Sequence, residues 1–65
     1  MKVTVNGAEV DVADQATVTD LLARLGIVQK GIAVAVDWTV LPRSRWDTIL
    51  SDGARIEVVT AVQGG

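Results

Sequence analysis

The chain has no cysteine and no histidine. Without cysteine there is no disulfide, no thiolate metal site and no thiol nucleophile. Without histidine the commonest general base and the commonest metal ligand are both missing. Aromatic residues are scarce: tryptophan occurs twice, at Trp38 and Trp46, and tyrosine and phenylalanine do not occur. The 6 basic residues are spread along the chain without a cluster, and the formal net charge is -2. Nucleic-acid readers need a basic face and often stacking platforms, so no nucleic-acid partner is expected. The longest purely apolar run, Ile32 to Val36, has 5 residues, against about 20 for a bilayer-spanning helix, so no membrane association is expected either. The opening residues, MKVTVNG, alternate like a strand and do not form the apolar core of a signal peptide. Small secreted domains usually carry disulfides, so the expected location is cytoplasmic. No glycine loop for cradling phosphate is present, and 65 residues leave little chain for a closed pocket. The expectation is a non-enzyme, with no catalytic residue, no metal and no cofactor of its own.

What is present suffices for one compact core. Hydrophobic residues make up 49% of the chain, and a domain of this size buries only about 60% of the surface its unfolded form exposes. Met1, Val3 and Val5 alternate with Lys2, Thr4 and Asn6, a period of two that reads as a half-buried strand. Asn6-Gly7 then supplies the residue pair a type I′ turn demands, and Val10 and Val12 alternate with Glu9 and Asp11 on the return. Residues 1–12 are therefore expected to form a β-hairpin. The segment TVTDLLARLG, 17–26, reads as a short helix. Thr17 is the expected N-cap, with Asp20 three positions on as its capping-box partner. Val18, Leu21, Leu22 and Leu25 fall on one apolar stripe, and Gly26 suits the left-handed C-terminal position. About ten residues of helix are marginal alone and need a sheet to pack on.

GIAVAV, 31–36, is apolar on both faces and reads as a central strand. Asp37-Trp38 marks a turn. Because Trp38 is a poor residue for positive φ, that turn is expected to be longer than two residues or of an unprimed type. Thr39-Val40-Leu41 reads as a short strand ended by Pro42, residues 43–50 as irregular or a helical turn, Asp52-Gly53 as a turn, and ARIEVVTAV, 54–62, as the last strand. The order ββαβ(β)β is most simply met by an α+β domain: a mixed sheet of four to five strands with one main helix on one face. With the first and last strands side by side in the centre, one of several arrangements that the element order allows, the result is the ubiquitin-like, or β-grasp, fold. Residues 1–62 are expected to form the single domain and 63–65 a flexible tail.

The chain closes on TAVQGG, 60–65. One reading is a frayed end, where glycine is common. The other is chemical. An α-carboxylate is ionised at neutral pH and is a poor acyl donor until activated, usually by attack on the α-phosphate of ATP. To reach another protein's nucleotide site it needs a thin thread, and two residues without Cβ provide the thinnest, with free choice of φ.

Taken in order, VTVNG at 3–7, ATVTDLLARLG at 16–26, GIAVAV at 31–36, LPRSRW at 41–46 and DGARIEVVTAVQGG at 52–65 make the chain resemble the sulfur carriers of thiamine biosynthesis, the ThiS family. VTAVQGG is the most specific of these stretches. The resemblance implies that Gly65 is adenylated by a partner enzyme of the ubiquitin-activating type, which uses ATP and Mg, and is then converted to a thiocarboxylate with sulfur from a persulfide donor. It implies that thiazole synthase takes that sulfur into the thiazole ring, and that Gly64, with Gln63 and Val62, enters the partner's channel. The absence of cysteine agrees with this, because sulfur would sit on the C-terminal carbonyl. The alternatives are the small subunit of molybdopterin synthase, or a ubiquitin-like protein modifier conjugating through Gly65. One departure from the family's pattern is Asp37-Trp38, where an Asn-Gly-like turn is usual.

Other residues carry weaker signals. Trp46 reads as a core filler, and Trp38 as either a cap on the core or an exposed partner contact. Arg43 and Arg45 read as solvated, and Asp11, Asp14 and Asp52 lie in separate loops without cation-site spacing. If Ile56 and Val58 face the helix, Val59 and Ala61 face outward with Ala33 and Ala35 beside them, an apolar face suited to docking a partner.

Overall fold

The computed structural model describes residues 1–60. The first strands, β1 (Lys2–Val5) and β2 (Ala8–Asp11), pair antiparallel from Lys2 opposite Asp11 to Val5 opposite Ala8. Two residues connect them, Asn6 at φ 49 and Gly7 at φ 87, the two positive values a type I′ hairpin needs to match strand twist. Val3 and Val5 are buried from this hairpin.

Helix α1 runs Val18–Leu25. Its capping box is complete. The Asp20 N–H donates to Thr17 Oγ1 at 3.1 Å, and the Thr17 N–H donates to Asp20 Oδ2 at 3.0 Å, so two otherwise orphaned donors are satisfied reciprocally. At the other end Gly26 adopts φ 71, and the Ile27 N–H donates to the Leu22 carbonyl at 2.9 Å, closing the helix through a left-handed residue. Val18, Leu21 and Leu22 are fully buried, whereas Leu25, the last helical residue, stands 38% exposed at the margin of the core. The buried stripe is thus one residue shorter than the spacing predicts.

Strand β3 (Ile32–Val36) pairs antiparallel with β4 (Thr39–Leu41) on one side and with β5 (Arg55–Thr60) on the other. β5 also pairs parallel with β1. The sheet order is β2-β1-β5-β3-β4. The first and last strands therefore lie side by side with β5 in the middle, the β-grasp arrangement. Val3 and Val5 of β1, Val34 of β3 and Ile56 of β5 share one buried cluster with Val18, Leu21 and Leu22, which places the helix across one face of the sheet.

Residues 42–54 close the core beside the helix. Trp46 is 4% exposed, and its indole N–H donates to the Leu41 carbonyl at 3.0 Å. Its own carbonyl accepts from the Thr19 N–H at 3.1 Å, which ties this loop to the start of α1. Trp46 is a structural filler, as its surroundings in the sequence suggest. Among the described residues no helix is long and apolar enough to cross a membrane.

The connection between β3 and β4 departs from expectation. It has two residues, because Val36 pairs with Thr39, and both take positive φ: Asp37 at 50 and Trp38 at 72. The physical reason is register. Only a primed turn joins adjacent strands through two residues without splaying them, and a bulky residue in this region costs about 1–2 kcal/mol. Compensation comes from β5. The Asp37 N–H donates to the Arg55 carbonyl at 2.8 Å, Asp37 Oδ1 accepts from the Arg55 N–H at 3.0 Å, and the Arg55 guanidinium lies 4.4 Å from the centre of the Trp38 ring. Trp38 is 72% exposed, so it does not cap the core.

Candidate functional site

The end of β5 is the part of the molecule nearest in sequence to the Gly-Gly terminus, and its anchoring is asymmetric. On the β3 side the pairing continues to Ile32 opposite Thr60. On the β1 side the ladder stops early, at Val5 opposite Ile56, with the Asn6 N–H donating to the Ile56 carbonyl at 2.9 Å. Past that point a side chain takes over. The Val58 N–H donates to Asn6 Oδ1 at 2.8 Å, and Asn6 Nδ2 donates to the Val58 carbonyl at 3.1 Å. One carboxamide thus replaces the next rung of the ladder.

The sheet face opposite the helix is apolar beside this strand end. Ala33 pairs with Val59 and Ala35 with Glu57, so Ala33, Ala35 and Val59 lie on one face, since residues directly opposite in a ladder point the same way. Val40 pairs with Ala35 and joins them. Val59 is 57% and Val40 68% exposed, and the two alanines are half-buried. Glu57, opposite Ala35, and Arg55 lie on this same face toward the start of β5, with Arg55 Nε 3.1 Å from Glu57 Oε1, and the Arg55 guanidinium covers the Trp38 ring. Ile56 is fully buried and Val58 packs on the core from the other face, as the alternation of β5 predicts. Ala61, Val62, Gln63, Gly64 and Gly65 lie outside the described residues.

Arg43 and Asp52 are engaged locally. Arg43 Nη2 donates to the Gln29 carbonyl at 2.7 Å and its guanidinium stacks on Trp46 at 4.4 Å, so it serves the loop packing. Asp52 Oδ1 accepts from the Lys2 N–H at 3.0 Å. A surface hollow of about 470 Å³ lies between residues 12–16 and the helix. Of its charged groups, Asp20 is committed to the helix cap.

Three residues at this site escape a reading of the sequence. Val40 belongs to the outer face only because the two-residue turn sets it opposite Ala35; the signal was available, but the expected longer turn hid it. Arg55 is placed by its stacking on Trp38. Asn6 reads as a turn residue, and nothing nearby in the chain points to Val58.

Comparison with known proteins agrees with the architecture. A solved structure, the crystal structure of thiamine biosynthesis protein ThiS from Geobacter metallireducens, is similar over 100% of both chains, with a TM-score of 0.86 and 35% sequence identity. The chain is also 32% identical over 66 residues to a thiazole synthase from Paramagnetospirillum magneticum. That alignment takes in 100% of this chain and 20% of that protein, so the chain spans about a fifth of the length of the curated relative it matches. The model of the ThiS family matches residues 2–65, and this chain belongs to the ThiS family.

Proposed function

We propose that the chain is a sulfur carrier of thiamine biosynthesis, a co-substrate protein acting in the cytoplasm. Residues 1–62 form the body and 63–65 the tail. The Gly65 carboxylate attacks the α-phosphate of ATP, held with Mg in an adenylating enzyme of the ubiquitin-activating type, and pyrophosphate leaves. The outer sulfur of a persulfide donor displaces AMP from the acyl carbon, and thiol reduction of the resulting acyl disulfide releases the thiocarboxylate. That anion gives its sulfur to the thiazole ring and returns as carboxylate. Val62, Gln63 and Gly64 thread the partner's channel, while Val59, Ala61, Ala33 and Ala35 form the face that docks on it.

The observation that carries this reading is the extent of the family match, which runs to Gly65 and takes in both terminal glycines. The thiazole synthase relative supports the acceptor, because a stretch similar to this chain makes up 20% of that polypeptide. The test is intact mass. After incubation with the adenylating enzyme, MgATP and a persulfide donor, the protein gains the mass of one oxygen-to-sulfur exchange. Tandem fragmentation places the change on Gly65. No gain with partners that load another ThiS chain refutes the reading.

A further inference from the structure

We infer that Asn6 is a positioning residue for the carrier reaction, a side-chain clamp that sets the direction in which β5 delivers the tail. This rests on the carrier reading above. A type I′ turn asks only for a residue that tolerates positive φ, and glycine, asparagine or aspartate all meet that need. The carboxamide does something the turn does not require. It presents one acceptor and one donor together, to the N–H of Val58 at 2.8 Å and its carbonyl at 3.1 Å. Aspartate lacks the donor and glycine lacks both.

The place of this contact gives it its consequence. β1 stops pairing at Ile56, so without Asn6 the β1-facing edge of β5 carries an unpaired N–H and carbonyl at Val58, and the strand is held on the β3 side alone. Such an end frays at low cost. With the clamp, β5 is held on both flanks up to Val58. The strand is then ordered as far as Val58 in the free carrier. Ordering a segment during association subtracts from affinity, so a carrier with the strand end already fixed docks without that loss.

The decisive comparison is Asn6→Gly and Asn6→Asp against the parent chain, assayed well below each variant's melting temperature. Glycine keeps the turn and deletes the clamp; aspartate keeps the acceptor and sets a carboxylate against the Val58 carbonyl. In Asn6→Gly the Val58 amide exchanges with deuterium about tenfold faster, the effect expected for one to two neutral hydrogen bonds. The Val34 amide serves as an internal reference and is unchanged. In ATP–pyrophosphate exchange with the adenylating enzyme, the carrier's KM rises severalfold in both variants while kcat stays at the parent value. A residue that served only the turn would lower the melting temperature and leave KM alone. An unchanged Val58 exchange rate overturns the clamp, as does an unchanged KM with the Val58 amide shown to be freed. If the parent chain itself supports no exchange, the carrier reading falls and takes the presenting role with it; a parent that is loaded and variants that match it refute the clamp alone.

Discussion

The two tryptophans offer a controlled contrast, because the same substitution removes a similar group from opposite environments. Trp46 is 4% exposed and Trp38 72%. Trp46→Phe deletes the indole N–H that serves the Leu41 carbonyl, leaving a part-buried acceptor without its donor, at a cost of about 1–2 kcal/mol. The smaller ring leaves a void in the core worth about 1 kcal/mol more. Together the loss is about 2–3 kcal/mol, against a total near 3–10 kcal/mol for a chain of 65 residues, taking about 0.05–0.15 kcal/mol per residue. At about 4–8 °C per kcal/mol for a domain this small, the melting temperature falls by about 10–20 °C. Trp38→Phe keeps an aromatic face under Arg55 and changes little buried surface, so its cost stays below about 0.5 kcal/mol. Urea unfolding followed by far-UV circular dichroism measures both. Each variant also retains a single fluorophore: Trp38→Phe leaves the buried indole, with blue-shifted emission that moves red on unfolding, and Trp46→Phe leaves the exposed one, whose emission barely shifts. Equal losses in the two variants, or a Trp46→Phe loss within about 0.5 kcal/mol, would refute this account of the core.

Three further outcomes follow from the same geometry. Thr17→Ala opens the capping box and lowers stability by about 1 kcal/mol, read as a fall of about 4–8 °C in thermal midpoint; no change means that packing alone holds the helix start. Val59→Glu charges an outward position that is 57% exposed, so stability moves by less than about 0.5 kcal/mol while the KM for adenylation rises; an unaltered KM removes the outer face from the docking surface. Appending one alanine after Gly65 abolishes sulfur loading measured by intact mass, and loading at the parent rate would exclude the terminal carboxylate as the carrier group.

Much of the fold was legible because its signals are local. Asn6-Gly7 is a turn pair, Thr17 and Asp20 are three residues apart, and the alternation of Ile56 with Glu57 tells which side of β5 is buried. The need for a sheet was legible as well, since a helix of eight residues needs a surface to cover and hairpin strands need neighbours; the strand order was not, because periodicity leaves several arrangements open. Trp38 marks the limit of that method. Residue preference argues against positive φ there, yet the pairing of Val36 with Thr39 leaves no room for a longer connection, and Arg55, far along the chain, supplies the bonds that hold Asp37 and the cation that covers the ring. Where a turn is clamped by a third strand, intrinsic preference is a weak guide, because the opposing energy of about 1–2 kcal/mol is no larger than a pair of hydrogen bonds and a stacking contact.

Asn6 illustrates the same limit from the other direction. Its residue type satisfies the local rule so fully that the sequence gives no reason to look further, and its second partner lies 52 positions downstream. The two roles are separable in physical terms: backbone conformation makes the hairpin, and the carboxamide secures β5. Their separability is what makes glycine at position 6 informative, since it satisfies the first role as well as asparagine does and cannot perform the second. A parallel β1–β5 pair is formed late in the sequence and joins the two ends of the chain, so it carries a large loop-closure cost. A side chain that extends that pair by one rung, as far as Val58, adds order to the last strand at a point the β1 ladder does not reach.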